Sequence, residues 1–167
     1  MKLFRIVLVA VISIAFAAYA AYRSWEVAWY EGMIPASLEI ERTVMIDGRT
    51  GFIEGCGIAV FQLSPTTVDR IRPAGLAGLE TARQARDHSD ELHTYSQWRE
   101  TPYAETGDGM TLVDRWLVGR TCAKIDPSLD RSIDTALKSP GSYYATIHEA
   151  GLIVIPSLGL AVFSYFG

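Results

Sequence analysis

Asparagine is absent from the 167-residue chain and lysine occurs only three times. Without asparagine there is no N-glycosylation acceptor, so the composition gives no support to a eukaryotic secreted glycoprotein. Basic residues are a minority, 15 Lys plus Arg against 19 Asp plus Glu, for a formal net charge of -4. Nonspecific nucleic-acid binding needs a surplus of Lys and Arg to neutralise phosphates, so no nucleic-acid partner is expected. Cysteine is confined to Cys56 and Cys122, and their spacing is neither C-x-x-C nor a zinc arrangement. The chain has no G-x-S-x-G elbow, no S-x-x-K pair, no G-x-G-x-x-G loop and no internal repeat. No motif therefore calls for a cofactor or supplies an activated nucleophile.

What is present begins with a targeting or spanning segment. Lys2 and Arg5 precede an uncharged stretch from Ile6 to Tyr22, and the first acidic residue is Glu26. Residues 3–22, at about 1.5 Å per residue, cover the roughly 30 Å hydrocarbon core of a bilayer. The same residues also read as a signal peptide, with a charged start, an apolar stretch Ile6 to Ile14, and small-residue patterns at Ala15-Phe16-Ala17 and Ala18-Tyr19-Ala20. Tyr19, Tyr22, Trp25, Trp29 and Tyr30 fall where an interfacial aromatic belt would lie, which favours a retained anchor with the lipid bilayer as its partner. The positive-inside rule then puts Lys2 and Arg5 in the cytoplasm of a bacterial cell and the C-terminal domain in the periplasm. Cleavage would instead leave a soluble periplasmic or secreted domain with 13 basic and 19 acidic residues.

In an oxidising compartment Cys56 and Cys122 are a candidate disulfide, worth about 4 kcal/mol by chain entropy. The alternative is two separate buried thiols. The expected organisation is a membrane or signal helix with its juxtamembrane extension over 1–31 and an exported α+β domain over 32–167.

Within that domain a short linker is expected after Gly32 and Pro35. Leu38, Ile40, Val44 and Ile46 alternate with more polar residues as a half-buried strand, with a turn at Asp47-Gly48. Cys56 to Leu63 is apolar almost throughout, which suits a strand covered on both faces, and Gly55 and Gly57 allow a close backbone approach there. Ser64-Pro65 opens a helix with Val68 and Ile71 inward. Pro73 breaks it, and a second helix is expected from Gly75 to Arg86 with Leu76, Leu79, Ala82 and Arg83 on one face. Asp87 to Gly109 reads as a long irregular loop or a partial strand around Tyr95 to Trp98. Leu112 to Val118 fits a strand or a helical turn. Asp126-Pro127 opens a third helix with Leu129, Ile133, Ala136 and Leu137 inward. Three strands, Tyr143 to His148, Leu152 to Ile155 and Leu160 to Phe166, finish the chain as a β-meander. Leu152 to Phe166 as a second membrane span is the rival, disfavoured by its length and by Pro156 and Gly159. The expected fold is a mainly antiparallel sheet covered on one face by two or three helices.

Three groups of residues are candidates for function. His88, Glu91 and His93 form the densest ionisable cluster and could ligate a metal from an irregular segment, whereas on a helix the two histidines would point about 140° apart. Tyr95, Trp98, Arg99 and Tyr103 could form an aromatic interaction surface, or fold over the core as a lid. Arg70, Arg72, Arg83 and Arg86 could form an anion-binding patch. His148 could serve as a general base only if a nucleophile faced it. The leading expectation is a membrane-anchored accessory or interaction module whose partner is another membrane or periplasmic protein. The rivals are an exported hydrolase or metal/ligand-binding protein using the His88 loop, and a freely secreted binding protein.

Overall fold

The computed structural model describes residues 2–50, 54–103, 111 and 115–167. Its elements in chain order are α1 (Lys2–Gly32), β1 (Ile40–Thr50), β2 (Gly55–Leu63), α2 (Pro65–Ala74), β3 (Arg99–Glu100), α3 (Pro127–Leu137), β4 (Tyr143–Ile147), β5 (Ala150–Ile155) and β6 (Leu160–Phe166). Short 3-10 turns lie at Gly75–Leu79, Glu91–His93 and Val118–Cys122. The strands form one open, antiparallel, six-stranded sheet in the order β1-β2-β6-β5-β4-β3. The architecture is α+β.

The sheet is covered on both faces, not one. Strand alternation sends Ala59, Phe61 and Leu63 of β2 to a core with Val68 and Ile71 of α2 and with Tyr30, Met33 and Ile34. The intervening Ile58 and Val60 enter a second core with Ile133 and Leu137 of α3. All six residues of β5 are buried. Uninterrupted apolar strands of this kind cannot leave a face in water, and the Cys56–Leu63 run carried that information from the start. The segment considered as a second span is therefore two central strands, with Pro156 and Gly159, the latter at φ 67°, in the turn between them.

α1 is the one helix, among the described residues, long and apolar enough to cross a membrane; its hydropathy averages 2.2 over the most apolar window, which is not buried in the fold at all. Large aliphatic and aromatic side chains such as Phe4, Ile14 and Phe16 stand out from it at 70–73% exposure. Its upper end behaves differently. Tyr30 is buried, with its ring against Phe163 and Tyr165, and Trp29 packs edge-on to Tyr165. Tyr30 is thus a core residue of the domain, whereas Tyr19, Tyr22, Trp25 and Trp29 remain exposed. The expected linker after Gly32 is likewise absent as a free segment, because Met33, Ile34, Pro35 and Leu38 are buried.

β1 runs on through Asp47-Gly48 instead of turning there. Gly48 pairs with Gly57, and a Cβ at Gly48 would stand 2.4 Å from the Cys56 carbonyl oxygen, so the glycine serves close strand contact. Register shifts at Ile40/Arg42 and Thr43/Met45 break the alternation. Bulges of this type put Val44 and Met45 against the same α3-side core, while Ile40 and Ile46 meet the other.

α2 starts as expected, with Ser64 Oγ accepting from the Thr67 amide, and it carries Pro73 in its last turn. The second helix expected over Gly75 to Arg86 is a 3-10 turn that ends at Leu79. Gly75 sits at φ 59°, outside the helical region, and the thin apolar face has little to gain from continuing: Leu79 and Ala82 are buried, whereas Leu76 and Arg83 are exposed. α3 is capped by Asp126 through the Ser128 and Leu129 amides and buries Ile133 and Leu137. Residues 104–109 of the long loop, residue 110, and residues 112–114 of the ambiguous segment lie outside the described residues; Val118–Cys122 is a 3-10 turn.

Candidate functional site

The His88 loop is a closed excursion held at its neck. The Tyr95 amide donates to the Arg83 carbonyl at 2.7 Å, the Ala85 amide to the His93 carbonyl at 3.1 Å, and Gln84 and Thr94 form an antiparallel bridge. Gln84 fastens the neck further, taking the Thr94 hydroxyl at 2.8 Å and donating to the His93 carbonyl at 3.3 Å. Below the neck, Tyr95 is fully buried and its hydroxyl donates to the Met33 carbonyl at 2.9 Å. Burial pushes its pKa up from the ordinary tyrosine value.

At the tip, Asp90 caps the 3-10 turn Glu91–His93 by accepting from the His93 amide. Its two carboxylate oxygens also lie 2.7 and 2.9 Å from His93 Nδ1. That hydrogen bond holds the Asp90 carboxyl below the usual carboxylate range. The His88 ring stacks on His93 with centroids 3.6 Å apart and planes 12° from parallel. One donor atom from each of His88, Asp90 and His93 lies within 4.8 Å of the others. The loop therefore joins the two expected histidines, but the carboxylate beside them is Asp90. Glu91 is exposed and outside the group. The signal for Asp90 was the Asp-x-x-His spacing, in which an aspartate caps a turn and meets the side chain three residues on.

His93 also lines a cavity of about 280 Å³ under the end of α1, together with Trp29, Met33, Phe163, His148 and Glu149. His148 stands in the two-residue turn between β4 and β5, 79% exposed and 3.7 Å from the Glu149 carboxylate. Among the described residues, no serine, threonine or cysteine lines this cavity.

The four aromatic-loop residues do not make one exposed surface. Tyr95 and Trp98 are buried on the α1 side of the sheet, Trp98 Nε1 donating to the Ala82 carbonyl at 2.8 Å. Tyr103 packs on the opposite side against Tyr144, at 5.6 Å between ring centroids. Arg99 is exposed on the short edge strand β3. The partners that bury Tyr95 and Trp98 are 62 and 16 residues away, so local composition could not reveal them.

The arginines of the expected anion patch are occupied with the backbone. Arg70 donates to the Ser37 and Gly78 carbonyls, Arg72 to Pro156, Arg83 to Tyr95 and Arg86 to Leu38. Each thereby ties a loop to its neighbour. On the other face, Arg120 holds Asp130 and Asp134 at 2.7 Å each, beside a cavity of about 480 Å³. Burial works against the Arg120 charge, but the two carboxylates outweigh it and leave its pKa raised.

Cys56 and Cys122 form a disulfide with Cα atoms 6.2 Å apart, a normal spacing for the bond. Close backbone packing brings them together. A Cβ on Gly119 would sit 2.0 Å from the Gly57 carbonyl oxygen, and the Gly119 amide donates to Ser164 Oγ at 3.0 Å. No known protein family, curated protein or solved structure matches the chain.

Proposed function

We propose that the chain is a single-span protein of a bacterial inner membrane that carries a periplasmic α+β domain and works as an accessory or interaction module. The observation that carries this reading is the division of labour along α1. From Ile6 to Tyr22 it presents no charged side chain to the surroundings, only aliphatic, aromatic and small ones, while its last turns enter the core through Tyr30. An exposed apolar surface that large is unfavourable in water and favourable in lipid. Lys2 and Arg5 at the short end orient the helix with that end in the cytoplasm. The Cys56–Cys122 disulfide is in keeping with an oxidising compartment for the domain. The membrane partner is the bilayer through residues 3–22, and the proteinaceous partner is another membrane or periplasmic protein.

Intact mass spectrometry of membrane and soluble fractions, with and without alkylation under nonreducing conditions, tests both parts. The expected result is a full-length chain in the membrane fraction, lighter by two hydrogens, with its domain digested by protease added to spheroplasts. A soluble species shortened by about 17 or 20 residues would replace the anchored reading with a freely exported binding protein.

A further inference from the structure

We infer that His88, Asp90 and His93 form a binding site for a divalent transition-metal ion of the zinc class. This inference rests on the loop alone and is independent of the membrane reading.

The donor set fits that class of ion. Two imidazoles and one carboxylate suit zinc, nickel or copper, whereas calcium and magnesium prefer all-oxygen shells. The three donor atoms lie within 4.8 Å of one another, and ligand atoms around an ion at about 2.0–2.1 Å stand roughly 3–3.5 Å apart. The required closure is up to about 1.3–1.8 Å, and the two rings must also turn out of their face-to-face stack so that both lone pairs meet at the ion, movements that side-chain rotation on a partly exposed loop supplies. Asp90 and His93 Nδ1 already stand 2.7–2.9 Å apart, near the spacing of two ligands on one ion, so an ion bound by both would take the place of the hydrogen between them. The backbone is prepared as well. The Gln84–Thr94 neck and the Asp90 cap hold the stretch from His88 to His93 in one conformation, so that binding does not have to order a free loop.

The test uses the full-length protein in detergent, purified without a polyhistidine tag, stripped with chelator and titrated with zinc chloride alone against a chromophoric competitor. The expected result is one zinc ion per chain. His88→Ala and His93→Ala each weaken binding by at least about tenfold, and Asp90→Asn weakens it by a similar factor. Glu91→Gln and His148→Ala leave affinity within about twofold. Imidazole proton resonances of the wild-type protein should shift on addition of zinc. All five variants alter partly or fully exposed side chains, and circular dichroism checks that they stay folded. Absence of saturable binding overturns the inference, as does stoichiometric binding that survives in the His88→Ala/His93→Ala double variant. A loss with Glu91→Gln but not with Asp90→Asn overturns the assignment of the carboxylate.

Discussion

At the scale of single residues, Glu149 and Tyr95 set measurable energies. Glu149 occupies the turn between β4 and β5 at φ 55°, a left-handed conformation that costs most L-residues about 1 kcal/mol. Asparagine tolerates that region better, so Glu149→Asn is expected to stabilise the fold by about 0.5 kcal/mol in urea denaturation. Tyr95 acts through pH. Its phenol is buried and stays neutral in the folded chain beyond the pH at which an exposed tyrosine ionises. Its contribution is therefore complete below about pH 10 and is lost as pH rises above that value, because only the unfolded chain then gains by ionising. The urea midpoint should hold steady to about pH 9.5 and fall above it. Tyr95→Phe should lower stability at neutral pH by about 1 kcal/mol, through loss of the hydrogen bond to Met33, while making the alkaline fall shallower.

At the scale of elements, local sequence rules succeeded where the causes were local. Ser64 and Asp126 cap the helices that their side chains nominated. Ser64→Ala should cost about 1 kcal/mol, read from the urea midpoint with an unchanged slope. The failures at Gly48 and at Gly75 to Arg86 have contacts distant in sequence as their cause. Gly48 looked like a turn residue, but it is a strand residue that lets β1 approach the Cys56 carbonyl. The bulge that sends Val44 and Met45 to one core depends on pairing with β2 and leaves no mark on the composition of β1. The two loop histidines were visible as a cluster, but which acidic neighbour joined them depended on the path of the 3-10 turn.

At the scale of the whole molecule, the fold is three layers joined by one covalent staple. Cys56 and Cys122 are 66 residues apart in sequence, and their bond links the start of β2 to the 3-10 turn on the α3 side of the sheet. Reduction, or the Cys56→Ser/Cys122→Ser variant, should lower unfolding free energy by up to about 4 kcal/mol in the chain-entropy account. Equilibrium denaturation with and without reductant checks it. An apolar truncation such as Phe61→Ala at the centre of β2 should cost about 3–5 kcal/mol, because the residue is fully buried against the α1-side layer. The two-sided core was legible in the continuous apolar strands. The identity of the covering pieces was not, since the residues that complete one layer come from the end of α1.

That last point fixes more than packing. Because Tyr30 and the buried stretch after it are core residues, the lower part of α1 and the sheet share a single rotational setting. One alanine inserted between Trp25 and Glu26, before Val27 meets the core, would turn everything above it by about 100° and lift it by about 1.5 Å. In a membrane-anchored chain such an insertion leaves the span and the core intact but presents a different side of the domain to any neighbour in the same bilayer. Contact with that neighbour should therefore vary with the number of inserted residues in a helical period, nearly returning after about seven.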